Sequence, residues 1–270
     1  MMKIGFIGLG NMGGSLARLV AQDERYRKEL LLANRSSDKA EKIAAELGGQ
    51  PVSNAEVFAQ AEVIFLGIKP AQFADLLAEY QEVLEERDSL LLVSMAAGLT
   101  LEILQKLIPS HHRWIRMMPN TPVAVGEGVI SYALYQQAHQ EDEALFRELL
   151  SSAGLLVKLD EKQLDAATAL AGCGPAFVYL FIEALADAGV RAGLSRDISL
   201  QLANQTLLGA AKLSQISGQH PAQLKDQVCS PAGSTIVGVA SLEENAFRGT
   251  VMDAVQAAYK RTQELGKSGN

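Results

Sequence analysis

The chain begins with a short apolar run that leads directly into a glycine-rich turn. Residues 3–7 read as a buried strand, and Gly8, Gly10 and Gly13 follow with the spacing GxGxxG. Between a strand and a helix, these glycines permit a tight turn, close approach of the backbone to a pyrophosphate, and close helix packing. The helix N-terminus then offers free N–H groups and a favourable dipole to an anion. We therefore predict a Rossmann-type dinucleotide site, with a purely structural glycine turn as the alternative.

The first part of the chain alternates short apolar runs with helical patterns. This alternation is typical of βαβ units and a mostly parallel sheet. We expect strands at residues 3–7, 30–33, 63–67, 90–94 and 114–117, and weaker ones near 52 and at 129–132 and 155–157. A capping box of Ser53 and Glu56 predicts one of the intervening helix starts. Residues 1–159 are thus predicted to form an α/β domain with a doubly wound sheet.

The pattern changes to an all-helical one at residue 160. Stretches rich in Ala, Leu and Gln have 3.6-residue periodicity, which predicts a helix start at 160–163 and helices at 174–191, 195–217 and 249–266. The helix from Pro175 is apolar over most of its circumference, which is more than a lone surface helix tolerates. We therefore expect residues 160–270 to form a helical second domain that is buried between subunits.

Composition narrows the classes of partner and location. The formal net charge is −7 without a long run of Lys or Arg, which argues against nucleic acid and anionic membranes as partners. Neither a signal peptide nor an apolar segment of roughly 20 residues is apparent. Cys173 and Cys229 lie far apart and make no CxxC pair, so reduced thiols in the cytoplasm are expected. The histidines lack ligand spacing, which predicts surface or helix-cap residues and no metal site: His111, His112, His139 and His220.

The end of the second predicted strand indicates which dinucleotide is bound. An acidic residue there would accept from the ribose 2′-hydroxyl of NAD, but this strand ends in Asn34, Arg35 and Ser36. Arg35 and the Ser36 hydroxyl can hold a 2′-phosphate, which favours NADPH with NADH possible. The alternative is that Ser36 is merely a helix N-cap and Arg35 merely solvated.

Seven segments spread along nearly the whole chain form a further set. They are FIGLGNMG at 6–13, KP at 69–70, AAG at 96–98, PNTP at 119–122, GCGPAF at 172–177, LKDQV at 224–228 and CSPAGSTI at 229–236. With this set the chain resembles the pyrroline-5-carboxylate reductase family, and the last segment looks like that family's signature loop. Two departures are Cys173, where serine is common, and Gly218, where some relatives have an acidic residue.

The resemblance implies a reaction and a substrate site. It implies hydride transfer from NADPH to the C=N carbon of 1-pyrroline-5-carboxylate, giving L-proline in the last step of proline biosynthesis. The substrate carboxylate would be held by Ser230, Gly233, Ser234 and Thr235. The hydroxyl of Thr235, the expected catalytic residue, would form a hydrogen bond with the ring nitrogen. Because solvent can protonate a cyclic imine, no strong side-chain acid is required. The alternative for this loop is a plain turn capped by Ser234.

The resemblance also completes the set of residues expected at the cofactor. Lys69 is either a catalytic cation or a cover for the cofactor by its aliphatic stem. The expected cofactor-binding residues lie mainly at predicted strand ends and helix starts: Ile7, Gly8, Gly10, Asn11, Met12, Gly13, Asn34, Arg35, Ser36, Asn54, Gly67, Ile68, Lys69, Pro70, Met95, Ala96, Ala97 and Asn120. The family further implies an intertwined homodimer, or a ring of dimers, with active sites near the subunit contact.

Two rival functions and one open point stand beside this interpretation. β-Hydroxyacid and 6-phosphogluconate dehydrogenases share the two-domain arrangement but need a lysine base where this chain has Val178, and oxidising an alcohol without a base is costly. A noncatalytic NADPH sensor would have no reason to contain the loop at 230–235. Enzymes that reduce six-membered or thioether imines would present a similar loop, so the ring size rests on the resemblance.

Overall fold

The computed structural model describes residues 2–268. The chain forms two compact units, residues 2–173 together with 258–268, and residues 174–257. This division differs from the boundary after residue 159 that we expect between the domains, because residues 160–173 pack with the first unit. The domain limits 1–159 and 160–270 stay a prediction, and the last two residues lie outside the described part.

The first unit is built on a mixed sheet. The described residues contain eight strands, which are β1 (Ile4–Ile7), β2 (Leu30–Ala33), β3 (Gln50–Pro51), β4 (Val63–Leu66), β5 (Leu91–Ser94), β6 (Arg113–Pro119), β7 (Gly128–Leu134) and β8 (Gly154–Lys158). Their order is β3-β2-β1-β4-β5-β6-β7-β8, and β6 and β7 form the antiparallel pair. Every strand predicted from the sequence is confirmed, with bounds shifted by a few residues.

Helices cover both faces of this sheet. In the first unit they are α1 (Asn11–Val20), α2 (Glu24–Arg27), α3 (Ser37–Leu47), α4 (Asn54–Gln60), α5 (Phe73–Glu79), α6 (Gln81–Glu86), α7 (Leu101–Lys106), α8 (Gln140–Leu149) and α9 (Leu164–Ala167). Short 3₁₀ turns lie at Pro70–Gln72, Thr121–Val125, Ser151–Ala153 and Glu161–Gln163, and a π-helical segment at Thr168–Gly172. The predicted capping box of Ser53 and Glu56 is confirmed at the start of α4.

The strand order locates the ligand crevice. Strands β1, β2, β4 and β5 are buried at every position, as expected for parallel strands covered on both faces. The chain leaves β1 towards β2 on one side and returns to β4 on the other. In open α/β sheets, ligands bind at the carboxyl ends of the strands where the order reverses in this way. The ends of β1 and β4 therefore define the site.

A buried ion-pair network fixes residues 161–165 against the sheet. The guanidinium of Arg116 on β6 is almost fully buried and lies 3.1 Å from Glu161 Oε1 and 3.2 Å from Asp165 Oδ1. The same Glu161 oxygen accepts a 2.6 Å hydrogen bond from the Leu101 N–H at the start of α7. Leu164 between the two carboxylates is completely buried. These contacts explain why the segment after residue 160 belongs to the first unit.

The second unit is all helical, as predicted. It consists of α10 (Gly174–Arg191), α11 (Arg196–Ser217), α12 (Pro221–Val228), α13 (Ser234–Glu244) and the first part of α14 (Phe247–Ser268). Of the α10 residues only Ala186 is buried within the described chain, while Tyr179 and Leu180 are 59% and 68% exposed. We expected no apolar segment of membrane-spanning length, and this expectation is wrong. The stretch Glu161–Arg191 is long and apolar enough to cross a membrane, judged by length and composition alone.

The histidines follow the prediction in three cases and depart from it in one. His111 is exposed, and His139 and His220 are the N-caps of α8 and α12. His112 is wrongly predicted, since its ring is fully buried between the start of β5 and the end of α6. Its Nδ1 accepts from the Leu90 N–H at 3.1 Å and its Nε2 lies 2.8 Å from the Leu84 oxygen.

Candidate cofactor and substrate sites

The ends of β1 and β4 open into a cavity of about 630 Å³. Most of the residues predicted to bind the cofactor line it: Ile7, Gly8, Gly10, Asn34, Arg35, Ser36, Asn54, Gly67, Ile68 and Lys69. They come from the ends of the adjacent strands β2, β1 and β4, the turns that follow these strands, and the start of α4. The crevice at the reversal of strand order is therefore the candidate dinucleotide site.

The glycines of the first turn serve two different needs. Gly8 has a φ of +90°, and a Cβ there would lie 2.6 Å from the Gly67 carbonyl oxygen. A Cβ at Gly13 would overlap the Gly8 carbonyl oxygen. At Gly10, by contrast, a built Cβ meets no atom of the described residues within 4 Å apart from its neighbours along the chain. The fold itself thus requires Gly8 and Gly13, whereas an open Gly10 suits a ligand that approaches the backbone from outside.

Helix α1 presents its N-terminus at this turn. Gly10 is the N-cap, so no side chain there accepts from the first-turn N–H groups, and the first turn contains no acidic residue. Free N–H groups together with the helix dipole favour an anion such as a pyrophosphate. Asn11, Met12 and Gly13 form this first turn without lining the cavity. Their assignment to the cofactor stays a prediction.

Asn34 joins the two loops that border the cavity. Its side-chain oxygen accepts a 3.0 Å hydrogen bond from the Leu9 N–H, and its amide nitrogen donates to the Ser36 carbonyl at 3.3 Å. The Ser36 side chain occupies the N-cap position of α3 but makes no capping hydrogen bond within the described chain. Arg35 and the Ser36 hydroxyl are both exposed to the cavity, where they can meet a ligand phosphate.

The 3₁₀ turn after β4 and helix α5 contribute lining residues that the sequence did not predict. Gln72, Asp75, Leu76 and Glu79 complete the wall of the cavity. Their spacing of three, four and seven residues places them on one helix face, which was a usable signal. Gln72 Oε1 also accepts from the Lys69 N–H at 3.2 Å and so fixes the turn after β4. Lys69 itself is exposed at the rim, and Pro70 lies in the 3₁₀ turn outside the cavity wall.

The remaining predicted cofactor residues lie at the ends of β5 and β6. Met95, Ala96 and Ala97 form the loop after β5, where the Ala96 N–H donates to the buried Ser94 hydroxyl at 3.2 Å. The side-chain nitrogen of Asn120 donates a 3.0 Å hydrogen bond to the Ala171 carbonyl, and its side-chain oxygen accepts one of 2.8 Å from the Val129 N–H. These four residues do not line the cavity, and their contact with a cofactor stays a prediction.

The second unit contains the candidate substrate loop at 230–235. The Gly233 N–H donates to the Ser230 carbonyl at 3.0 Å, and Ala232 adopts a φ of +55°. Gly233, and not Ser234, is the N-cap of α13, so the capping role given to Ser234 is wrong, whereas the alternative of a plain structural turn stays open. Ser234 and Thr235 lie exposed in a first turn that contains no acidic residue. The loop therefore combines uncapped N–H groups with three hydroxyls, a donor set suited to one carboxylate.

Comparison with known proteins gives matches over nearly the whole chain. The family model described as pyrroline-5-carboxylate reductase dimerisation matches residues 161–265, and the one described as NADP oxidoreductase coenzyme F420-dependent matches residues 3–98. A pyrroline-5-carboxylate reductase of Pisum sativum is 43% identical over 97% of this chain and 95% of its own. The Glycine max protein of the same name is 44% identical over the same shares.

A solved structure agrees with these sequence matches. The pyrroline carboxylate reductase of Plasmodium falciparum, crystallised with NADP bound, is 36% identical and superposes with a TM-score of 0.84 over 98% of both chains. The pyrroline-5-carboxylate reductase structure from Coxiella burnetii has a TM-score of 0.89 at 30% identity over 98% of both chains. Sequence and structure agree that the chain is a member of the pyrroline-5-carboxylate reductase family.

Proposed function

We propose that this chain is an NADPH-dependent reductase that converts 1-pyrroline-5-carboxylate to L-proline. The observation that carries the proposal is the 43% identity, over 97% of the chain, to a protein named for this activity. The test is to incubate the purified protein with NADPH and the cyclic imine and to identify the product by chiral amino-acid analysis. L-Proline supports the proposal, and unchanged imine overturns it.

The first unit supplies the cofactor-binding half of this function. Bound NADPH supplies the hydride. The first-turn N–H groups of α1 receive the pyrophosphate next to Gly10, while Arg35 and the Ser36 hydroxyl bind the 2′-phosphate. The open space above Gly10 and the unengaged Ser36 hydroxyl both support this arrangement. NADH lacks the group that Arg35 binds, so we expect it to act with lower efficiency.

The loop at 230–235 supplies the substrate-binding half. Ser230, Gly233, Ser234 and Thr235 bind the substrate carboxylate through N–H groups and hydroxyls at the start of α13. The Thr235 hydroxyl accepts a hydrogen bond from the N–H of the protonated ring nitrogen and orients the C=N bond. Because the imine can take its proton from water before it binds, these residues need only orient and desolvate it. This requirement agrees with a loop that contains hydroxyls and no acidic side chain.

We also propose that the active form is a homodimer or a ring of dimers. Several apolar side chains of α10 are exposed in the single chain, and Leu180 is 68% exposed. An apolar surface of this kind is typical of an interface with another molecule. The model matched by residues 161–265 is described as a dimerisation domain, which supports a second copy rather than a membrane as the partner of this surface. A cytoplasmic location belongs to the same proposal, and the free thiols of Cys173 and Cys229 agree with it.

A further inference from the structure

We propose that the C-terminal turn of α14 positions the loop after β5 for catalysis, through contact between the backbones of Gly266 and Gly98. The inference rests on the proposed function, because it concerns the loop after β5, whose residues Met95, Ala96 and Ala97 are expected to bind the cofactor. It assigns a role to a segment that comes from the far end of the chain. Gly266 is in this sense a positioning residue and touches neither substrate nor cofactor.

The contact is a direct one between main chains. A Cβ built at Gly98 would lie 3.0 Å from Gly266 Cα and 3.1 Å from Gly266 N. Gly98 also has a φ of +83°, which side chains rarely adopt. A Cβ at Gly266 would lie 3.5 Å from the Cα and the oxygen of Gly98, an ordinary contact distance. The interface therefore has room for one methyl group on the helix side, and we expect a branched side chain there to separate the two backbones.

Two other contacts hold the ends of the same loop. At its start, the buried Ser94 hydroxyl accepts from the Ala96 N–H at 3.2 Å. Just beyond its end, Glu161 accepts from the Leu101 N–H at 2.6 Å and is itself paired with Arg116. Between these two points lie residues 97–100, and there the helix end supplies the contact at Gly98. Gly266 thus fixes the middle of a loop whose ends are already anchored.

The position of the loop explains why this contact concerns catalysis rather than cofactor affinity. It follows β5, whose last residue Ser94 pairs with Leu66 just before the cavity-lining Gly67. The 2′-phosphate residues Arg35 and Ser36 follow β2, on the other side of β1. Displacing the loop after β5 should therefore disturb the geometry of hydride transfer while leaving the adenosine half of the site intact.

The test compares Gly266→Val with Gly266→Ala as a matched control. For Gly266→Val we expect kcat to fall about tenfold or more, since displacements near 1 Å can cost two orders of magnitude in rate. The NADPH Kd should stay within about twofold, because the residues that hold the 2′-phosphate are unaffected. Gly266→Ala should keep wild-type kcat. Thermal unfolding of each variant establishes that the protein is folded at the assay temperature.

A second variant guards against a folding defect in Gly266→Val. A chain ending at Glu264 removes the contact without adding atoms and retains the Arg261–Glu264 ion pair. It should show the same loss of kcat with unchanged NADPH Kd. Wild-type kcat in either folded variant, or parallel losses of kcat and cofactor affinity, would overturn the positioning role. If the wild-type protein itself fails to reduce the imine, the proposed function fails instead.

Discussion

The side-chain oxygen of Asn34 accepts a 3.0 Å hydrogen bond from the backbone N–H of Leu9. This bond joins the end of β2 to the glycine turn after β1, and the amide nitrogen of Asn34 reaches on to the Ser36 carbonyl. One side chain therefore fixes both the loop expected to bind the pyrophosphate and the loop expected to bind the 2′-phosphate. Asn34 also lines the cavity, and its direct contact with the cofactor stays a prediction.

Substitution of Asn34 separates these two contributions. In Asn34→Ala the loops lose their link, and we expect the Kd values for NADPH and NADH to rise together by about tenfold, the effect of one hydrogen bond of about 1 kcal/mol or slightly more. Asn34→Asp keeps the acceptor for the Leu9 N–H but places a carboxylate beside the 2′-phosphate. The affinity for NADPH should therefore fall more than the affinity for NADH. Fluorescence titration measures all four constants. Unchanged binding in Asn34→Ala would contradict the role of this side chain.

Arg35 should determine the preference between the two cofactors. Arg35→Asp reverses the charge that faces the 2′-phosphate, and a carboxylate can accept from the ribose 2′-hydroxyl of NADH. We expect NADPH efficiency to fall on the order of 100-fold, the equivalent of two charge-assisted hydrogen bonds, with a much smaller loss for NADH. Steady-state kinetics with each cofactor measure the ratio. Equal losses for both would show that Arg35 is merely a solvated surface charge.

Thr235 should act on turnover and leave cofactor binding alone. Removal of the hydroxyl in Thr235→Ala should lower kcat on the order of 100-fold, as expected for loss of one hydrogen bond to the reacting group. Thr235→Ser is the matched control because it retains the hydroxyl, and it should keep most of the activity. NADPH affinity, measured separately, should be nearly wild-type in both variants. Parallel loss of cofactor binding in Thr235→Ala would mean that the loop is structural.

His112 should make the stability of the first unit sensitive to acid. Burial lowers its pKa below the ordinary 6.5, and Nδ1 must stay unprotonated to accept from the Leu90 N–H. The unfolded chain then binds the proton more readily than the folded one. The contribution of His112 is fully present above about pH 6.5 and is lost as pH falls below it, with a slope of up to about 1.4 kcal/mol per pH unit.

Urea unfolding between pH 7.5 and pH 5 measures this dependence. His112→Gln should flatten the curve in that range, because the residue no longer titrates. His111→Gln is the matched control: its ring is exposed, and the acid-dependent loss of stability should persist. A wild-type slope in His112→Gln would assign the acid sensitivity to other groups.

The features that could be predicted from the sequence are those that depend on local residue patterns. Buried runs such as Val63–Leu66 predicted the strands, and the capping box at Ser53 predicted the start of α4. Burial of His112 was missed because it depends on Leu84 and Leu90, which lie more than twenty residues away in sequence. The contact between Gly98 and Gly266 has no local signal either. Long-range packing, which determines such positions, is not encoded in the spacing of neighbouring residues.

The central claim is that this chain uses NADPH to reduce a five-membered cyclic imine. The most direct measurement follows the absorbance of the reduced nicotinamide after addition of 1-pyrroline-5-carboxylate to the purified protein with NADPH. We predict a decrease that depends on both substrates and is faster with NADPH than with NADH. NADPH that binds tightly but is not oxidised when the imine is present would contradict the account and indicate a noncatalytic sensor.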